Sequence, residues 1–303
     1  MPSTQLQQGT IHYEEAGPPD GRPVVFVHGY IMGGDIWREV GERLAGKGLR
    51  AIMPTWPLGA HREAMRPGAD TSPRGVADMI AAFLETLALE DVVLVGNDSG
   101  GALCQVVAAY HPQRLGALVL TNCDAFENCP PGVFKALVKV AKLPGGLKTA
   151  LLPLRTEAAR RSPAGYGLLS HRGVERLARE WVRPVLDDDG VFEDVRRFTV
   201  GLDKELTLDA AARLPHFGKP VLLAWGIDDH LFPTEDAHRL AAVLPDARVE
   251  ELEGARTLPM IDRPDRLAEL IREIAVSPSG RRKVLPSGDD SRDQRSAAGQ
   301  AMR

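Results

Sequence analysis

The sequence is poor in cysteine, has no long apolar run, and carries no histidine beyond His238. Three cysteines, Cys104, Cys123 and Cys129, are odd in number and lack metal-type spacing, which excludes a disulfide scaffold and a zinc ribbon. No apolar stretch approaches the roughly 20 residues that span a bilayer. The N-terminal MPSTQLQQGT has neither the basic start nor the apolar core of a secretory leader. The expectation is a cytoplasmic protein with no membrane partner. Positive charge is not in excess either: 37 Lys and Arg face 41 Asp and Glu, for a net charge of -4, without the basic footprint of a general nucleic-acid binder. No glycine-rich phosphate loop and no metal-ligand cluster occurs, so no cofactor and no metal are expected. A small molecule is the expected partner, and nothing bears on oligomeric state.

What is present is an ordinary globular composition, 303 residues with 44% apolar, and a pattern that alternates short apolar runs with amphipathic segments. Residues 23–28 and 91–95 read as buried strands from their β-branched and aromatic content, 49–53 as a further apolar run, and 115–121, 220–225 and 247–252 as further strands. Between them, Val76, Ile80, Phe83, Leu84 and Leu87 recur at helical spacing after Ser72-Pro73, a helix-start signal. Thr234 reads as the cap of a late helix, and Leu267, Leu270, Ile271 and Ile274 as the buried face of the last one. Continuous apolar strands separated by helices predict an α/β fold with a mostly parallel central sheet.

Residues 125–215 break the alternation. They hold helical pieces such as 133–143 and 174–182, divided by Pro and Gly breaks, and no strand. They read as a helical insertion that separates an N-terminal part of the body, residues 1–124, from a C-terminal part, residues 216–276. Residues 277–303 are rich in Ser, Gly, Arg and Asp and read as a disordered tail. The tail carries a net +3, so the body stands near -7.

The segment that carries chemistry is Val92-Val-Leu-Val-Gly-Asn-Asp-Ser-Gly-Gly-Ala102, where a strand turns into a helix within five residues. Gly96-Asn97-Asp98-Ser99-Gly100 matches a nucleophile elbow, G-x-Nu-x-G. The glycines are needed because a side chain on either flank would strike the neighbouring strand or helix. In that register Asp98 is the projecting residue. The rival register makes Ser99 the nucleophile, with Asn97 and Gly101 as flanks.

Here the chain resembles the α/β-hydrolase superfamily. His28-Gly29-Tyr30 looks like that family's H-G-x oxyanion loop, and Trp225-Gly226-Ile227-Asp228-Asp229 looks like its W-G-x-x-D acid motif. The resemblance spans roughly residues 8–275 and equates the helical insertion with a cap domain. An aspartate at the elbow is similar to haloalkane dehalogenases, fluoroacetate dehalogenases and epoxide hydrolases, whose carboxylate forms an ester later cleaved by a histidine-activated water. The resemblance implies Asp98 as nucleophile, Asp229 as acid, and backbone N–H groups of Tyr30 and Ser99 as oxyanion donors. Asp124 and Glu127 follow the fourth strand, where some members carry the acid instead.

The departures are specific. The family's histidine position falls on Thr257, whose hydroxyl is too weak a base to shuttle protons near neutral pH. His230 and His61 are the histidines placed by sequence on loops at the same sheet edge, and His28 reads as a structural brace. Dehalogenases usually have Trp after the nucleophile, where Ser99 stands. Epoxide hydrolases use a pair of cap tyrosines, whereas the insertion has Tyr166 alone unless Tyr30 contributes. The expectation is a hydrolase with an atypical triad, acting on a small, mainly apolar ester, epoxide or halide. The alternatives are a catalytically silent ligand-binding protein and a lyase or cyclase using Asp98 as acid or base.

Overall fold

The computed structural model describes residues 1–276; the expected disordered tail, 277–303, lies outside the described residues. Eight strands form one sheet: β1 (Ser3–Gln5), β2 (Thr10–Ala16), β3 (Pro23–Val27), β4 (Arg50–Pro54), β5 (Val92–Asp98), β6 (Leu115–Cys123), β7 (Val221–Gly226) and β8 (Ala247–Leu252). Their spatial order is β1-β2-β4-β3-β5-β6-β7-β8; β2 is antiparallel to both its neighbours, β1 and β4, and the pairings among β3 to β8 are parallel. The six runs and strands expected from the sequence are these six parallel strands, although in β8 only Leu252 is buried. The antiparallel pair at the edge was not anticipated. β1 has three residues and β2 only two buried ones, too little apolar pattern to read.

Side chains alternate between two apolar clusters, one on each face of the sheet. Val25 and Val27 join one, Val24 and Phe26 the other, as the two-residue period of a strand requires. All seven residues of β5 are buried, and each such Val or Leu side chain is worth about 1.5–3 kcal/mol of transfer free energy. Ser72 accepts from the Gly75 N–H at 3.3 Å and starts the helix Pro73–Thr86 as expected. Thr234 does not cap its helix. It is the first helical residue, the capping position belongs to Pro233, and no side chain satisfies the free N–H groups there.

Between β6 and β7 the described chain contributes no strand to the sheet. Its helices include Gly132–Ala141, Glu175–Asp187, Asp189–Gly201 and Lys204–Arg213. They pack onto both clusters: Phe198, Leu202 and Leu206 onto one, Trp181, Val185 and Val191 onto the other. Polar ties hold them down. Trp181 Nε1 donates to Asp35 Oδ1 at 2.7 Å, and Tyr166 Oη donates to the Ile31 carbonyl at 2.6 Å. Among the described residues no helix is long and apolar enough to cross a membrane.

The strand order fixes where a site can form. From β3 the chain goes to β4 on one side and to β5 on the other, so a crevice opens beyond the carboxyl ends of β3 and β5. Tyr30 and Asp98 follow those two ends.

Candidate active site

The turn after β5 is tight enough to define its own centre. A Cβ on Gly100 would lie 2.4 Å from the His28 carbonyl oxygen and 2.5 Å from that of Val27; one on Gly96 would lie 2.7 Å from the Gly100 oxygen. Asp98 sits at φ 54°, ψ -134°, a backbone conformation that costs a non-glycine residue about 1–3 kcal/mol. The helix Ser99–Tyr110 begins on the next residue. Asn97 cannot serve as a small flank. Its side chain is fully buried and Nδ2 donates to Thr121 Oγ1 and to the carbonyls of Asn122 and Thr257. The projecting residue is therefore Asp98.

Asp98 Oδ1 accepts from the Tyr30 N–H at 3.0 Å and from the Ser99 N–H at 2.6 Å. These donors come from the ends of different strands, and Ile31, beside Tyr30, is itself strained at φ 48°. Close approach is required: a Cβ on Gly29 would lie 2.5 Å from Asp98 Cβ. His28 braces this loop from below. It is fully buried, Nδ1 donates to the Gly29 carbonyl at 2.9 Å, and Nε2 accepts from the Trp56 N–H at 2.8 Å. Burial lowers its pKa from 6.5 to about 4, which keeps the ring neutral.

A narrow cavity of about 20 Å³, room for about one water, opens over Asp98. Its polar wall is Tyr30, Asp98, Ser99, Asp124 and Thr199; Phe134, Leu137, Leu202 and Phe232 stand in its apolar wall. Asp124 reaches it through strand register. Asp98 pairs with Cys123 across β5 and β6, so the next residue emerges beside the elbow. Burial, then the charge of Asp98, pushes the Asp124 carboxyl well above the usual range, while a Ser99 hydroxyl contact pulls the other way. Asp124 Oδ1 is buried without a hydrogen-bond partner. Burial also raises Asp98, against the lowering effect of its two N–H donors.

Asp229, which is partly exposed, and Thr257 form a hydrogen-bonded group separate from the cavity wall. Thr257 Oγ1 donates to Asp229 Oδ1 at 2.7 Å, and Asn122 Nδ2 donates to Asp229 Oδ2 at 2.8 Å. Thr257 is fully buried, and neither it nor Asp229 lines the cavity. The charge of Asp229 still reaches Asp98, raising its pKa as a minor cause. Burial is the main cause that raises Asp229 itself.

The histidine substitutes anticipated from sequence are elsewhere. His61 is buried with Nε2 3.3 Å from Asp194 Oδ2, and His230 is exposed. Neither lines the cavity. Asp228 is drawn off to His171 Nε2 at 2.9 Å, and Glu127 to Arg239. Sequence reasoning missed Asn122, Asn97 and Thr199. The first two are polar residues near the ends of otherwise apolar strands, a signal that was available; Thr199 comes from a distant helix and gave none.

These features define a class. A family model for the alpha/beta hydrolase fold matches residues 22–264, and the chain belongs to that family. Among curated relatives, it is 28% identical to haloalkane dehalogenase 2 of Mycobacterium tuberculosis, over 88% of this chain and 91% of that one. It is 27% identical to a non-heme chloroperoxidase of Streptomyces lividans, over 88% and 99%. Among solved structures, a reconstructed ancestral haloalkane dehalogenase superposes with a TM-score of 0.73 at 22% identity, covering 90% of this chain and 99% of that one. That last likeness is one of fold.

Proposed function

We propose that this protein is an α/β-hydrolase-fold enzyme in which the Asp98 carboxylate attacks a small, mainly apolar electrophile. The observation that carries the reading is the double N–H grip on Asp98 Oδ1. The grip holds the carboxylate at one orientation, leaves Oδ2 as the attacking oxygen, and supplies the donors that an oxyanion would need once Asp98 is esterified. The cavity is narrow and its wall is largely apolar, which favours a compact, apolar substrate. A dehalogenase among the relatives is consistent with attack on carbon. Thr257 and Asp229 act as a hydrogen-bonded pair separate from the cavity wall.

A short alkyl bromide tests the reading, because its leaving group needs no proton. Incubation should add one alkyl group to the intact protein, mapped to Asp98 by peptide mass spectrometry, and Asp98→Asn should abolish the addition. The hydrogen bond that commits Thr257 to Asp229 favours a second reading, a silent binding protein on the same scaffold. Saturable binding of the bromide with no mass gain and no released bromide would select it.

A further inference from the structure

A carboxylate nucleophile poses a problem of its own: the ester it forms must be cleaved, and none of the histidines lines this cavity. The hydroxyls around it are already engaged: that of Ser99 contacts the carboxyls of Asp98 and Asp124. Thr199 Oγ1 donates its one proton to the Val195 carbonyl at 2.7 Å, so Tyr30 Oη, 2.6 Å from Thr199 Oγ1, must be the donor in that contact. Tyr166 Oη donates to the Ile31 carbonyl. Both tyrosine protons are committed. The cavity wall contains no lysine or arginine among the described residues. It does contain a second carboxyl, Asp124, which is 1% exposed and has an oxygen without a partner. Two carboxyls enclosed together with no cation cannot both ionise, so they hold one proton between them.

Resting on the Asp98 reading, we propose that Asp124 is the acid and then the base of a two-step hydrolysis, and that the substrate is a small apolar epoxide. In the first step Asp98 Oδ2 attacks a ring carbon. The C–O ring bond breaks, its electron pair stays on the ring oxygen, and that oxygen takes the Asp124 proton. The result is a hydroxyalkyl ester on Asp98 and an ionised Asp124. In the second step Asp124 takes a proton from water as the water oxygen adds to Asp98 Cγ, and the N–H groups of Tyr30 and Ser99 hold the negative Oδ1. The bond from Cγ to Oδ2 breaks, and the departing alcohol takes the proton back from Asp124. The remaining proton on Asp98 returns to Asp124, and the sum is epoxide plus water to vicinal diol. An epoxide fits because its opening is the event that ionises Asp124 and so creates the missing base. One group serving as acid and then base is the logic of retaining glycosidases. A halide leaves without a proton and gives no such conversion.

The test uses 1,2-epoxybutane and 1-bromobutane on the full chain. The wild type should convert the epoxide to the diol, and a single turnover in ¹⁸O-water should place the label in the Asp98 side chain. Asp124→Asn should lower epoxide conversion by about 10²–10⁴-fold, the usual worth of general acid–base catalysis. The same variant should still acquire a butyl group on Asp98 from the bromide, which shows that it is folded and the nucleophile intact. Should Asp124→Asn fail to fold, Asp124→Gly with added formate, whose carboxyl replaces the lost one, should regain diol formation. Near-wild-type epoxide turnover by Asp124→Asn, or bromide alkylation with no epoxide opening in the wild type, overturns the role of Asp124 and leaves Asp98 standing. Absence of butylation and of the ¹⁸O label at Asp98 overturns the reading of Asp98 itself.

Discussion

At the scale of single residues, the site is governed by how few polar groups face an apolar enclosure and how each one is committed. Asp98 holds two N–H donors, Asp229 accepts the Thr257 hydroxyl, and both tyrosines near the cavity have given away their protons. His28 shows the same economy in a structural role. Its buried ring accepts from one N–H and donates to one carbonyl, so protonation would cost both the accepting contact and the desolvation of a charge. With its pKa lowered from 6.5 to about 4, the folded state resists proton uptake that the unfolded chain accepts. The stability tied to neutral His28 is therefore complete above pH 6.5 and is lost as pH falls toward 4, on the order of 3 kcal/mol in all. Urea unfolding at pH 7 and pH 4.5 should show this loss, and His28→Gln, which cannot titrate, should flatten it. An unchanged pH slope in the variant would remove His28 from the acid lability.

At the scale of elements, the elbow is a contest between strand, turn and helix for the same space. β5 ends at Asp98 and the next helix starts at Ser99, with no residue between. That junction is possible because the carbonyls of Val27 and His28 approach Gly100 to distances no Cβ tolerates. Gly100→Ala should thus separate β3 from the helix Ser99–Tyr110 and move the Tyr30 N–H away from Asp98. A stability loss of about 3 kcal/mol by denaturant titration, with bromide alkylation of Asp98 slowed at least tenfold, is the expected outcome. This much was legible in the sequence, because a glycine pattern around one polar residue has a steric cause that is local. Asp124 was legible only as a candidate through the resemblance, ranked behind Asp229; its place beside Asp98 was not. It follows from the register of β5 against β6, and Asp98 opposite Cys123 is a pairing between residues 25 apart. The absence of His61 and His230 from the cavity wall was equally hidden, since both stand on loops and only the packed structure draws His61 to Asp194 and leaves His230 exposed.

At the scale of the whole molecule, the helices between β6 and β7 are not an appendage. They supply Phe198 and Leu202 to the core on one face of the sheet and Trp181 and Val185 to the core on the other. The Leu169 carbonyl accepts the Leu258 N–H at 2.9 Å, so the insertion is also tied to the loop that carries Thr257. Shared cores on both faces predict a single cooperative unfolding transition. Far-UV circular dichroism and the fluorescence of the buried tryptophans, Trp181 in the insertion and Trp37, Trp56 and Trp225 in the body, should give one midpoint. A separate, earlier loss of a tryptophan signal that disappears in Trp181→Phe would show that the insertion melts alone.

The sequence by itself determined the six parallel strands, the elbow and the threonine on the loop after β8. Each depends on residues close together in the chain: apolar runs long enough to be central strands, glycines where a Cβ would collide, and a threonine on a short loop. Tertiary structure decided which carboxyl stands beside Asp98. Asp124 enters the cavity while Asp229 and Thr257 bond to each other apart from its wall, because strand register and side-chain direction, unlike local pattern, exist only once distant segments have packed.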